Sequence, residues 1–357
     1  MKNEFIKTNI LENTKNYEYK KNNFNYGLSI LKTILSFLVV IVHNFNWRST
    51  KNKYILFITM NRHFHVPSFF ILSFYFSEKL LTSLNVKLII KRLLRLFIPY
   101  IAWPIIIWNI NRFLVKIYHK KFPCSFELLK SQLIWGTRFM NQLWFNWNSI
   151  LGIFLFVLII FIFKKHFIFI LQIMLILTYI VQYSGFNYKY IFLGCPFHYR
   201  YNIGFIFDSI PCEITGFFLS FYKLFNVAKS QRIKTVIFSL LIYYLISNFE
   251  VFSNRKGTPY QGINLNIQSI CLILIFTVLP FDKIEKKYIL KLIKIINNYS
   301  AGVFYLHVSI RFYFADIFDD IKKGTFFGII ITYIICYFIS YIGTILFGKT
   351  LFRHLFI

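Results

Sequence analysis

The sequence predicts an all-α, polytopic integral membrane protein, built as a bundle of about ten transmembrane helices with both termini in the cytoplasm. Hydrophobic residues make up 57% of the 357 residues, and the mean hydropathy is +0.56, whereas soluble chains contain about 45–50% apolar residues. The apolar residues also occur in long runs separated by short basic segments. Both observations are typical of a protein that crosses a membrane several times.

Ten apolar stretches are predicted to span the bilayer, which takes about 20 apolar residues in a helix. Residues 1–26 are rich in Lys, Asn and Glu and are predicted to form a cytoplasmic tail, residues 27–347 a single membrane domain, and residues 348–357 a second cytoplasmic tail. The second stretch is the weakest, because it contains Ser77 and Glu78 and reaches spanning length only near residue 84. The predicted spans are 28–46, 66–78, 93–111, 143–163, 167–185, 204–222, 233–249, 263–281, 295–315 and 324–347.

The distribution of cations between the spans predicts their orientation. Ten spans place both termini on one side, and the segments on that side carry more Lys and Arg than the segments on the other side. Cytoplasmic segments are the ones enriched in these residues. The sequence therefore predicts a multi-pass protein of the inner cell membrane, with Lys116 outside the cell and Lys229 inside.

The formal net charge of +28 does not indicate a nucleic-acid-binding protein. The cations lie between apolar runs, so the predicted partner is the lipid bilayer and not nucleic acid. The 46 Phe and 24 Tyr are interpreted mainly as lipid-facing side chains. The five Cys are scattered without a C-x-x-C pair, so no metal site or redox motif is predicted.

The first predicted span contains two ionisable residues on one face. Lys32 and His43 are eleven residues apart, which at about 100° per residue is three turns plus about 20°, and they are separated by roughly 16 Å along the helix axis. Ser36 lies on the same stripe. Because ionisable side chains are costly in contact with lipid, we expect this stripe to face the protein interior and to have a function.

Further motifs follow along the chain, and together with the first span they resemble the membrane acyltransferase-3 family. That family's first helix carries a basic residue followed by ten residues and a His, as Lys32 and His43 do here. Its third helix opens on Arg-x-x-Arg, as Arg92 and Arg95 do. The remaining segments resemble its second helix, its fourth helix and a late helix, in the same order; they are His65-Val66-Pro67-Ser68-Phe69-Phe70, Gln142-Leu143-Trp144-Phe145 and Tyr299-Ser300 followed by Tyr305-Leu306-His307.

The resemblance covers nearly the whole chain and implies an O-acyltransferase, commonly an O-acetyltransferase. The donor would be acetyl-coenzyme A or another acyl-coenzyme A, used as a substrate and not bound permanently as a cofactor. The acceptor would be a hydroxyl of an envelope or surface carbohydrate, or of a lipid-linked glycan. Acyl transfer to a hydroxyl needs a base, and His is well suited because its unperturbed pKa is ~6.5.

His43 is accordingly the predicted base, and His307, at a comparable depth in the predicted topology, is the second candidate. Packing against a neighbouring helix is the simpler explanation of a buried His, and His65 is explained about equally well by packing or by function. Arg92 and Arg95 are predicted to bind the donor phosphates, because guanidinium groups match phosphate oxygens. The competing explanation is the ordinary basic flank of a membrane helix.

Lys32 has several possible roles: a dock for the donor, an electrostatic stabiliser, or a partner of His43. Resembling proteins more often carry Arg at this position. A structural explanation is that Lys32 merely extends towards the cytoplasmic surface. Asp208 and Glu213 lie in the sixth span, where buried carboxylates are costly, and either Lys32 or Arg311 could pair with them.

Two other functions stay open. A transporter or flippase for an envelope glycan or an ion also has about ten helices with a few intramembrane charges, but no internal repeat is visible. A non-catalytic membrane subunit is the other alternative, because the chain departs from the family pattern twice. Phe74 follows Ser73 where the family has Ser-Gly, and Ser29, Ile30 and Leu31 occupy the region in which an acidic residue often precedes the basic one.

Overall fold

A computed structural model describes residues 25–44, 64–118, 125–135, 140, 143–183, 197–227, 229–253, 263–281, 287–315, 317–348, 350 and 355. All regular structure in these residues is helical, and they contain no strand, so the predicted all-α fold class is confirmed. The predicted tails, 1–26 and 348–357, lie almost entirely outside the described residues, as does Gln142 of the fourth motif.

Each predicted span overlaps a helix, and three shorter helices occupy connections between them. The helices of the described residues are α1 Tyr26–Asn44, α2 His65–Tyr75, α3 Glu78–Thr82, α4 Val86–Tyr118, α5 Phe126–Trp135, α6 Trp144–Phe163, α7 Phe167–Tyr183, α8 Phe197–Phe221, α9 Arg232–Ser253, α10 Ile263–Val278, α11 Lys287–Phe314, α12 Asp319–Lys323 and α13 Phe326–Leu346.

Four stretches of the described residues are long and apolar enough to cross a membrane, namely Tyr26–Asn44, Val86–Lys116, Trp144–Ile180 and Phe326–Leu346. The third comprises α6, a 3₁₀ turn at Lys164–His166 and most of α7. Lys164 has a φ of 41°, which ends the regular α-helical geometry between two predicted spans. Two further apolar helices, α2 and α10, are shorter. The number of about ten spans therefore remains a prediction.

The surface of several helices is apolar, as a lipid-facing surface requires. Large hydrophobic side chains such as Phe154 and Phe161 on α6, Ile176 on α7 and Phe238 on α9 are more than half exposed. A soluble protein rarely exposes contiguous apolar surface of this extent. These side chains support a location in the membrane.

Helix α1 lies at the centre of the part of the fold that holds the predicted site, in contact with α2, α10, α11 and α13. Its buried side follows helical spacing, with Leu28, Leu31, Leu35 and Val39 in the core. At Gly27, a Cβ atom would lie 1.7 Å from the carbonyl oxygen of Phe276 on α10. Only glycine permits the backbones of α1 and α10 to approach this closely.

Candidate active site

Helices α1 and α11 bring together two imidazole rings that are far apart in the sequence. The ring centroids of His43 and His307 are 5.0 Å apart, and the rings are tilted by 46°. His307 is fully buried, whereas His43 is partly accessible. The predicted base and its second candidate are thus neighbours, which we call the imidazole pair.

The hydrogen bonds of His307 determine its tautomer. Its Nδ1 lies 2.8 Å from the carbonyl oxygen of Phe304 and 3.2 Å from that of Val303. Carbonyl oxygens only accept hydrogen bonds, so Nδ1 carries the proton in the neutral ring and Nε2 carries a lone pair. Among the described residues, the buried Nε2 atom has no hydrogen-bond partner. His307 therefore presents a proton acceptor beside His43.

The end of α1 that carries His43 is held in place by side chains. Arg311, one turn after His307 on α11, donates a hydrogen bond to the carbonyl oxygen of His43. The amide of Asn44 donates to the carbonyl oxygen of Val40 at 2.7 Å. Carbonyl groups in the last turn of a helix lack helical donors, and a cation there also interacts favourably with the helix dipole. The sequence predicted no role for Arg311 at His43, although its i+4 spacing from His307 indicates a shared face.

A cavity opens beside the imidazole pair and includes both His43 and His65. Its volume is about 20 Å³, which is room for roughly one water-sized group. The other lining residues are all hydrophobic, and they are Val39, Val66, Phe69, Trp144, Phe145 and Phe304. The apolar walls suit only a very small apolar group next to an imidazole, and anything larger must displace packed side chains.

The other end of α1 carries positive charge. Lys32 is close enough to Arg92 of α4 for mutual electrostatic repulsion. Arg92 donates to the hydroxyl of Ser73 on α2 at 2.6 Å, and its buried Nε has no hydrogen-bond partner among the described residues. No carboxylate in the described part of the chain forms an ion pair with either cation. We call Lys32 and Arg92 the cation cluster.

The two arginines of the Arg-x-x-Arg motif differ in their surroundings. Arg92 is partly buried and reaches Ser73, whereas Arg95 is exposed. Ser73 thus accepts a hydrogen bond from the motif, while its neighbour Phe74 is fully buried and packs on Phe156, with ring centroids 5.1 Å apart. The departure from the family pattern at Phe74 consequently lies in the core, directly after the residue that Arg92 contacts.

Two polar side chains for which the sequence predicted no role lie near Arg92. The amide of Asn146 on α6 donates to the hydroxyl of Tyr305 on α11 at 3.2 Å and to the carbonyl oxygen of Leu96 on α4 at 3.0 Å. Tyr305 is in turn close enough to interact electrostatically with Arg92. Asn146 therefore links three helices around the cations, and no sequence spacing indicated this.

The two carboxylates of the sixth predicted span are buried in α8. Neither forms an ion pair with Lys32 or Arg311 among the described residues. The Glu213 carboxylate lies against Gly152 of α6, where a Cβ atom would be 2.1 Å from Oε2. The absence of a side chain at Gly152 is thus what makes room for Glu213. The described residues also contain no group of three or more His, Cys, Asp or Glu arranged to hold a metal ion.

Comparison with known proteins identifies one family. A family model described as an acyltransferase domain, acyltransferase-3, matches residues 25–349. This range includes every element described above and both ends of the site. Neither a curated protein nor a solved structure matches the chain.

Proposed function

Because this chain belongs to the acyltransferase-3 family and is therefore a membrane acyltransferase, we propose that it is an O-acyltransferase, with acetyl-coenzyme A as donor. The acceptor is a hydroxyl of an envelope or surface carbohydrate, or of a lipid-linked glycan. The observation that carries this proposal is the division of the interior along α1. The cation cluster lies at one end, and neither of its cations forms an ion pair with a described carboxylate. The imidazole pair lies beside a cavity at the other end.

The donor binds at the cation cluster. Buried cations without carboxylate partners are costly in a membrane protein unless an anion joins them, and coenzyme A carries phosphates that fit this requirement. Arg92 is the better placed arginine, since it reaches Ser73 in the interior, while the exposed Arg95 attracts the phosphates from outside. The roughly 16 Å between Lys32 and His43 along α1 is the distance that the donor's pantetheine arm bridges.

The transfer itself occurs at the imidazole pair. His43 takes the proton of the acceptor hydroxyl while the hydroxyl oxygen attacks the thioester carbonyl. The carbon–sulfur bond then breaks, the ester forms, and the coenzyme A thiolate takes up the proton. The lone pair on His307 Nε2 stabilises the positive charge that develops on the neighbouring His43 ring.

The proposal is tested by offering radiolabelled acetyl-coenzyme A to the purified full-length chain. We expect saturable binding that weakens as salt increases, because phosphate contacts are electrostatic. We also expect transfer of label to carbohydrate in membranes that contain the protein.

Arg92→Ala is expected to weaken binding of acetyl-coenzyme A strongly, and Arg95→Ala is expected to weaken it less. Arg112→Ala is the matched control, since Arg112 is exposed at the other end of α4 and contacts Trp108. If donor affinity is unchanged in both motif variants, Arg92 and Arg95 only fix the topology of the helix. If the wild-type protein does not bind acetyl-coenzyme A, the proposed donor is wrong.

We propose that the chain crosses the inner membrane about ten times, with cytoplasmic termini. The support is the overlap of every predicted span with a helix and the excess of Lys and Arg on the side of the termini. Single Cys residues at positions 116 and 229 in a Cys-free background test this orientation. An impermeant maleimide applied to intact cells is expected to label residue 116 only, and both residues after permeabilisation. Labelling of residue 229 but not of residue 116 in intact cells would show that the orientation is the reverse of the predicted one.

A further inference from the structure

Three phenyl rings from three different helices meet at the cavity beside His43. The rings of Phe69 on α2, Phe145 on α6 and Phe304 on α11 have centroid separations of 6.1, 5.9 and 5.8 Å, so each ring contacts the other two. All three side chains line the cavity and are partly accessible from it. We call these three residues the phenyl triangle.

The position of Phe69 on α2 places the phenyl triangle between the two ends of the site. Phe69 follows His65 by four residues and precedes Ser73 by four, which is about 6 Å along the helix in each direction. His65 lines the cavity with His43, and Ser73 accepts the hydrogen bond from Arg92. Along α2, the order is therefore imidazole, phenyl ring and cation-binding hydroxyl.

The other two members occupy the same intermediate level on their own helices. Phe145 directly precedes Asn146, and Phe304 directly precedes Tyr305, and these two polar residues are hydrogen-bonded to each other next to Arg92. Phe145 and Phe304 nevertheless turn towards the cavity that holds His43. An apolar layer thus separates the cation cluster from the imidazole pair.

We propose that the phenyl triangle is the acyl-selectivity filter of this enzyme: the acyl chain of the donor rests against it when the thioester carbonyl lies beside His43. This inference depends on the proposed function, since it needs a donor bound at the cations and chemistry at the imidazoles. The three rings offer an acyl chain apolar contact only. They discriminate by length, because the cavity that they line has a volume of only about 20 Å³ and leaves no spare room for a longer chain.

The Phe145 side of the filter has no room to retreat. Phe145 is backed by Phe70, with ring centroids 4.6 Å apart, and Phe70 is almost fully buried against Trp144 at 5.5 Å. A longer acyl chain can therefore be seated only by displacing packed side chains. In apolar enzyme pockets, a single methylene typically changes the specificity constant about 10–200-fold, so we expect a strong preference for acetyl over butanoyl donors.

The test compares label transfer from radiolabelled acetyl- and butanoyl-coenzyme A in the same membranes, with the glycans of those membranes as acceptors. Phe145→Ala and Phe304→Ala are expected to raise the ratio of butanoyl to acetyl transfer at least tenfold. Phe69→Trp is expected to lower this ratio. The ratio does not depend on the amount of folded protein, and Phe145→Leu provides a milder change if the Ala variant fails to fold.

Phe154→Ala is the matched control, because Phe154 lies on the same helix as Phe145 with 57% of its surface exposed, and it should leave the ratio unchanged. Acetyl transfer by the wild type together with an unaltered ratio in the Phe145 and Phe304 variants would overturn the filter while leaving the proposed function standing. A wild-type protein that transfers neither acyl group would refute the proposed function, and the filter with it.

Discussion

Replacement of His43 by Ala is expected to abolish nearly all acyl transfer while the protein still accumulates in the membrane in normal amounts. A positioned general base contributes about 10²–10⁴-fold to the rate, and His43 is the imidazole of the pair that lines the cavity. Its side chain is only partly buried, so its loss should cost little stability. The measurement is label transfer from acetyl-coenzyme A at matched membrane abundance.

Variants of two further histidines provide a control and a comparison for this experiment. His166→Ala is the control, because His166 is exposed in the turn between α6 and α7, and it should leave transfer intact. His307→Gln is expected to lower transfer less than His43→Ala while donor binding persists, since Gln can still donate to the α11 carbonyls but offers no imidazole beside His43. Activity of the His43→Ala variant within a few-fold of wild type would exclude His43 as the base, and His307 would then be the next residue to test.

Replacement of Lys32 by Met is expected to abolish transfer through loss of the charge alone. Methionine keeps an unbranched side chain that is compatible with the bilayer, but it removes one of the two cations at the donor end of α1. Lys32→Arg is expected to retain substantial activity, because it restores a cation that resembling proteins commonly carry there. Both variants are compared by transfer and by acetyl-coenzyme A binding at equal abundance.

The competing explanation of Lys32 predicts the opposite result. If Lys32 only extends to the membrane surface, the Met variant should be fully active and even more stable, since an apolar residue is cheaper at that position. Lys91→Met serves as the control for a simple loss of charge, because Lys91 is exposed next to Arg92 on α4. An active Lys32→Met enzyme would remove Lys32 from the site and leave its spacing to His43 without functional meaning.

The sequence by itself determined the helical class, the helical positions of the ten predicted spans and the shared face of Lys32 and His43. Apolar runs of spanning length specify helices because every backbone group in lipid must be satisfied within its own segment. The 3.6-residue period then specifies which side chains of one helix lie on one stripe. The order of motifs also indicated the family that the match over residues 25–349 established.

Only the tertiary structure decided which helices those stripes face. The predicted third span places Arg95 deeper in the membrane than Arg92, yet in the structure Arg92 reaches Ser73 of α2 and Arg95 is exposed. The pairing of His43 with His307, the link through Asn146 and the phenyl triangle each join helices that are distant along the chain. Helical periodicity orients a residue on its own helix alone. The rotation and neighbours of that helix depend on side-chain packing throughout the bundle, including close approaches such as that at Gly27.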